Sequence, residues 1–149
     1  MGQYKIRLVG NWISLSDSNR KILDELDKDI FPTDIGCKKR QPGRFWWLVY
    51  AGKKPIGFAG IEYGSRDAFL CRAGILKEHR GHGIQRKLIR YRENHAKKMN
   101  VKDIITYVHS QSTSSINNLI KSGYLAYDPE NHWAGTLRTE TLYLCKKLV

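Results

Sequence analysis

Seven consecutive residues, His79-Arg80-Gly81-His82-Gly83-Ile84-Gln85, carry the chemistry that this sequence offers most plainly. They lie between an apolar run and an amphipathic stretch. A strand that turns through glycines into a helix aims free backbone N–H groups, and the positive end of the helix dipole, at one point. That point suits a phosphate or pyrophosphate. Arg80 and Arg86 add side-chain charge to the same place. His79 and His82 form a His-x-x-His pair with no further ligand close in sequence, so they read as part of the phosphate loop, and no metal is expected. A Gly-x-Gly pair alone is a weak signal. Dinucleotide folds use three glycines, and no third one follows Gly83 in this turn.

Periodicity and turn residues define the elements that must position this loop. Residues 4–9 read as a first strand. Ser16 or Asp17 caps a helix with Ile22, Leu23, Leu26 and Ile30 on one face, ended by Phe31-Pro32. Residues 33–43 are polar and basic and read as a loop or a short helix. Residues 45–50, 56–63 and 68–76 are strands joined by short turns at Gly52-Lys53-Lys54-Pro55 and Gly64-Ser65-Arg66-Asp67, hence antiparallel. Trp46 and Trp47, adjacent in the first of these, are expected in the core on one face and partly exposed on the other, where they could line a pocket. The helix after the glycines spans 84–99, with Ile84, Leu88, Tyr91 and His95 on one face and Ala96 and Met99 beside them. Residues 103–109 form the next strand, and this strand–helix–strand unit predicts a parallel crossover. Ser112-Thr113-Ser114-Ser115 offers caps to a short helix with Ile116, Leu119 and Ile120 inward, stopped at Gly123. Residues 124–127 and 141–148 are final strands joined by a loop that holds His132 and Trp133. The class is α/β with a mixed sheet.

Composition bounds the rest. The chain has 149 residues, 41% of them hydrophobic, which favours one folded domain with a real core. No apolar run approaches the roughly 20 residues that span a bilayer. The segment from Met1 to Ile6 has neither a signal-peptide core nor a myristoylation pattern, so a cytoplasmic protein with no membrane partner is expected. Cys37, Cys71 and Cys145 are widely spaced and fit a reducing compartment, the last two as small thiols in strands. The net charge of +12 predicts attraction to polyanions. It is concentrated between Leu76 and Lys102, where nine Lys or Arg stand against Glu78 and Glu93. Lys38-Lys39-Arg40 with Arg44 forms a second cluster. These charges are either a solvated face or a site for a phosphate-bearing ligand, RNA or an acidic protein.

The stretch from Ala73 to Leu88, with the elements over residues 45–128, resembles the GNAT-type, acetyl-CoA-dependent N-acetyltransferases. Their signature is Gln or Arg, two residues, Gly, one residue, then Gly or Ala. Arg80 and Gly83 fill it, and Gln85 stands where Gly or Ala is usual. A second signal is a helix ending in Lys-x-Gly-aromatic, matched by Lys121-Ser122-Gly123-Tyr124. The resemblance implies a single GNAT-like domain over 1–149 with a mixed, mostly antiparallel central sheet flanked by helices. It implies acetyl-CoA as cosubstrate and, as acceptor, a primary amine on a protein, an aminoacyl-tRNA or a small molecule. It assigns the pyrophosphate to Arg80, Gly81, His82, Gly83, Ile84, Gln85 and Arg86. Pantetheine would pair with Ile75, Leu76 and Lys77 along the fourth strand, whose end splays from the fifth to admit the acetyl group. The thioester oxygen would meet a backbone N–H at Ile75 or its neighbours. Ser112 holds the position of an Asn often found near the cofactor, and Leu119 that of a Tyr that commonly protonates the thiolate. A branch that modifies ribosomal proteins also lacks this Tyr and carries a Ser near position 115.

Acetyl transfer needs a neutral amine, a stabilised oxyanion and a tolerated thiolate. A lysine amine with a pKa near 10.4 costs about 4–5 kcal/mol to neutralise at pH 7, so a general base is sought. Glu62 is the first candidate. It is the only carboxylate in the central hairpin, placed by alternation on the side of Ile56 and Phe58, and its plain alternative is a surface glutamate. His109, at the end of the fifth strand, is the second, against a solvated strand-end histidine. Ser110 could orient water or the sulfur, or simply cap the next helix. The basic surface favours an acidic protein or an RNA-linked amine over a free polyamine. Two other readings are a basic nucleic-acid-binding module and a GNAT fold that binds CoA without turnover, the latter suggested by Gln85 and Leu119. The chain is expected as a monomer or homodimer.

Overall fold

A computed structural model describes residues 3–32, 43–131, 133 and 140–148; Cys37, His132 and the 38–40 basic cluster lie outside them. Tight reversals build the first half of the sheet. Arg44–Ala51 (β2) turns at Gly52, whose φ of +61° suits a residue without a side chain, and returns as Lys54–Tyr63 (β3). The chain reverses again into Asp67–Ile75 (β4), while Tyr4–Asn11 (β1) pairs antiparallel with β2. Asp17–Ile30 (α1) lies between β1 and β2; Ser16 Oγ caps it by accepting the Asn19 N–H at 3.1 Å. After β4 come Ile84–Lys98 (α2), Asp103–His109 (β5), Thr113–Lys121 (α3), Leu125–Tyr127 (β6) and Thr141–Lys147 (β7). The seven strands form one sheet in the order β1-β2-β3-β4-β5-β7-β6, antiparallel except for the β4–β5 pair. The α/β class, the mixed sheet and the parallel crossover are as the sequence predicts.

Helices cover both faces of the sheet, so both tryptophans are fully internal. Trp46 packs with Leu23, Leu26 and Phe58 under α1, and Trp47 packs with Ile84, Leu88 and Tyr124 beneath α2 and α3. The expected half-exposed tryptophan is therefore corrected, and neither lines the cavity described below. A bulge corrects a second expectation. The β2–β3 register jumps between Val49↔Gly57 and Tyr50↔Pro55, which turns Ile56 into the α2-side core while Phe58 faces α1. Glu62, opposite Arg44, shares the α1 face with Phe58 but not with Ile56.

The inward stripe of α2 is rotated from the one hydrophobicity suggests. Ile84, Leu88, Ile89, Arg92, Glu93 and Ala96 are buried, whereas Tyr91 and Met99 are exposed. On α3, Leu119 is buried and Ile120 exposed. Glu93 is held by Lys146 at 3.2 Å, which makes its burial tolerable. His95 is half-buried among Phe45, Trp47 and Tyr63, and its Nδ1 meets the Tyr63 hydroxyl. Burial, then the charge of Lys98, lowers the His95 pKa below its ordinary 6.5. As pH falls through 6.5 the unfolded ring takes up a proton first. This contribution to stability is therefore complete above about pH 6.5 and declines below it until the folded ring also titrates. Thermal melts of the wild type and His95→Phe from pH 7.5 to 5 should diverge in slope, the variant losing less stability on acidification.

Candidate active site

The turn between β4 and α2 exposes its backbone. A single 3-10 turn, Lys77–His79, leads to Gly81 and Gly83 at φ of +83° and +76°, and Gly83 caps α2 with no side-chain bond. The first backbone bond of the helix runs from the Lys87 N–H to the Gly83 carbonyl. Among the described residues, nothing accepts from the amides of 81–86. A Cβ built on either glycine meets no atom within 4 Å beyond its chain neighbours. These donors open onto space at the positive end of a 15-residue helix. Arg80 donates through Nε to the Ile75 carbonyl at 2.9 Å, which anchors its guanidinium beside the loop. His82 Nδ1 donates to the His79 carbonyl, and Tyr4 OH bonds His79 Nδ1. Both histidines are thus tied into the loop.

Next to this loop the sheet opens. β4 and β5 pair only at Asp67↔Asp103, Ala68↔Ile104 and Phe69↔Ile105. At the next step the Thr106 hydroxyl, not a backbone amide, reaches the Leu70 carbonyl, and the strands then part. A bulge in β4 sits at the same level: Ala59 pairs with Ala73 and Gly60 with Cys71, so Arg72 has no opposite residue. The split holds a cavity of about 520 Å³. Gln85, Ile89 and Arg92 from α2 and Ser112, Ser115, Asn118 and Leu119 from the α3 end line it on one side of the sheet. Phe31, Arg44, Phe69 and Arg72 line it on the α1 side, so it is a passage reaching residues of both faces.

The expected site residues divide. Gln85, Ser112 and His109 line the passage. Gly81, His82, Gly83 and Arg86 surround the loop; Ile84 offers only its amide, because its side chain is in the core. Of the three residues expected to pair with pantetheine, Ile75 faces the split by alternation, and Ala73 joins it. Leu76 is turned away: its N–H donates to Ile56 and its carbonyl accepts from His79. Lys77 is exposed in the 3-10 turn, its carbonyl taken by the Arg80 N–H. Glu62 stands outside the lining, with Oε1 accepting from Arg44 Nε, but Arg44 itself is on the wall. His109 Nδ1 accepts the Gln111 N–H at 3.1 Å, so the neutral ring carries its proton on Nε2, toward Glu140. Ser110 is exposed in the turn after β5, and its amide donates to the Glu140 carbonyl.

Of three arginines on the walls, Arg44 ends the stretch 31–44 that the resemblance puts beside the acceptor site, whereas Arg72 and Arg92 were not anticipated. Arg72 is gripped by Asp27 at 2.8 Å and lies over the Phe31 ring. Arg44 holds Glu62. Arg92, 3% exposed, donates from Nε to the Leu88 carbonyl and from Nη1 to the carbonyls of Gly60 and Cys71. Burial lowers its pKa, opposed by Cys71, Tyr124 and Glu93. Its spacing from Gln85 and Ile89, one stripe of a helix, was the available signal. On the α1 side Phe69 stacks on Tyr107, and Trp133 stands edge-on to both at 5.3 Å.

The model of the Acetyltransferase (GNAT) family matches residues 12–124. No curated protein sequence matches. Among solved structures, the chain is similar to the ribosomal-protein-S18-alanine N-acetyltransferase from Escherichia coli (TM-score 0.75, 10% identity, 97% of this chain and 94% of that one). It is also similar to the PaiA N-acetyltransferase from Thermoplasma acidophilum in complex with coenzyme A (TM-score 0.75, 17% identity, 98% and 99%). A dodecameric spermidine N-acetyltransferase from Vibrio cholerae matches too (TM-score 0.74, 15% identity, 97% and 94%). At these identities the likeness is one of fold. With its glycine turn, its split sheet and a family match over most of its length, the chain belongs to the GNAT acetyltransferase family.

Proposed function

We propose that the protein moves the acetyl group of acetyl-CoA to a primary amine by direct attack in a ternary complex. One observation carries this reading: open main-chain donors at the start of α2 lead into a split that passes between the faces of the sheet. The diphosphate binds the amides of 81–86, with Arg80 and Arg86 beside it. Pantetheine follows the unpaired edge of β4, using the backbone of Ala73 and Ile75. The thioester then lies near the β4 bulge, and the amine enters from the α1 side between Arg44, Phe69 and Arg72. Exposed Arg86, Lys87, Arg90, Lys97 and Lys98 on α2 favour an amine carried by an acidic or phosphate-bearing macromolecule. The test is calorimetry with CoA, followed by release of CoA thiol across an acceptor panel at low and high salt. Absence of CoA binding overturns the reading.

Between the two candidate bases, spare lone pairs favour Glu62. His109 has its lone pair on the Gln111 amide, whereas a carboxylate that accepts one bond from Arg44 keeps others open. Glu62 therefore takes the ammonium proton, directly or through water, and His109 Nε2–H remains a donor at the mouth. Glu62→Gln should lower kcat at pH 7 by about 100-fold, with recovery at a pH where the acceptor is already free base. His109→Ala should cost less at either pH. A pH-independent loss in Glu62→Gln would count against the assignment.

A further inference from the structure

Arg92 sits where a carbon–sulfur bond would break. It belongs to the α2 stripe Gln85–Ile89–Arg92 that lines the passage, seven residues and roughly 10 Å along the helix from Gln85. On the sheet its guanidinium meets the Cys71 carbonyl, deeper in the split than Ala73 and Ile75. It is a cation in the interior whose hydrogen bonds are all to backbone carbonyls. Arg44 and Arg72 are each held by a carboxylate; Glu93, next to Arg92 in sequence, is held instead by Lys146. Leu119, on the same wall, has no proton to give.

We infer that Arg92 receives the departing thiolate of coenzyme A, a role that rests on the acetyl-transfer reading above. Once Glu62 has taken the ammonium proton and passed it to bulk water, the neutral amine nitrogen bonds to the thioester carbon, and the second proton that the new amide sheds leaves by the same route. The C–S bond then breaks with its electron pair on sulfur. The guanidinium keeps its own protons and offers an N–H to the anion, which water later protonates to the free thiol. A charge-assisted bond inside a low-dielectric passage stabilises the thiolate without an acid of matched pKa. The titratable groups close enough to act on Arg92 by charge are Cys71 on β4, Tyr124 after α3 and Glu93 on α2, the last with its partner Lys146 on β7.

The test needs no acceptor. CoA is bound to the protein, and its thiol is titrated by the ultraviolet absorbance of the thiolate. In the wild type and Arg92→Lys the bound thiol should titrate about one pH unit or more below free CoA. In Arg92→Gln, whose amide can still bond a carbonyl of the bulge, it should return to the free value. A wild-type bound thiol that titrates like free CoA overturns the inference without any variant. So does an Arg92→Gln thiol as acidic as the wild type, since that would leave Arg92 only a structural staple. Failure of the wild type to bind CoA would instead strike the acetyl-transfer reading.

Discussion

A Gly83→Val chain should fold and yet bind coenzyme A at least 100-fold more weakly. The residue lies at φ +76°, where an L side chain is strained by roughly 1–2 kcal/mol. That strain is confined to one exposed residue, and a Cβ there touches nothing else in the protein, so a modest fall in melting temperature is the whole structural cost. For the ligand the situation is reversed. The open volume over Gly83 is what lets the 81–86 amides approach a diphosphate, and an isopropyl group would occupy it. Retreat of the anion lengthens several charge-assisted bonds at once. A hundredfold loss corresponds to about 2.8 kcal/mol, within reach of two such bonds. Calorimetry with CoA beside a thermal melt separates the effects. Affinity within tenfold of the wild type, in a folded variant, would move the pyrophosphate elsewhere.

The loop was legible because its chemistry is local. Gly81 and Gly83 follow a strand and precede a helix in sequence, and backbone donors need no distant partner. The parallel crossover and the β5 bounds were legible for the same reason. What failed depends on partners far along the chain. Arg92 and Glu93 look like part of a solvated basic helix, yet both are buried. The reason is the pair of carbonyls at Gly60 and Cys71 for one and Lys146 for the other, separated from them by 21 to 53 residues. Tyr91 and Met99, more apolar than either, are outside because α2 is rotated to satisfy those charges. Similarly, strict alternation places Glu62 with both Ile56 and Phe58, and one extra residue at the β2–β3 bulge separates them.

Asp27→Ala should be the most destabilising of the changes considered, by about 3 kcal/mol, or roughly 6–12 °C in melting temperature for a chain of this size. Asp27 is 5% exposed on α1; its Oδ1 accepts from Arg72 Nε and lies 2.8 Å from Nη2 as an ion pair. Removing it leaves a guanidinium at the bulge of β4, pressed on Phe31, without the carboxylate that offsets its desolvation. The double variant Asp27→Ala/Arg72→Met should recover part of the loss, because an apolar side chain of similar length can pack where an uncompensated charge cannot. The functional consequence should be one-sided. Arg72 stands on the α1 side of the passage, while the amides of 81–86 stand at the start of α2 on the other. CoA affinity, measured well below the lowered melting temperature, should stay within a few-fold of the wild type. The Michaelis constant for the amine should rise. Equal losses for both ligands would mean that the bulge is a single hinge for the whole split rather than a boundary between two half-sites.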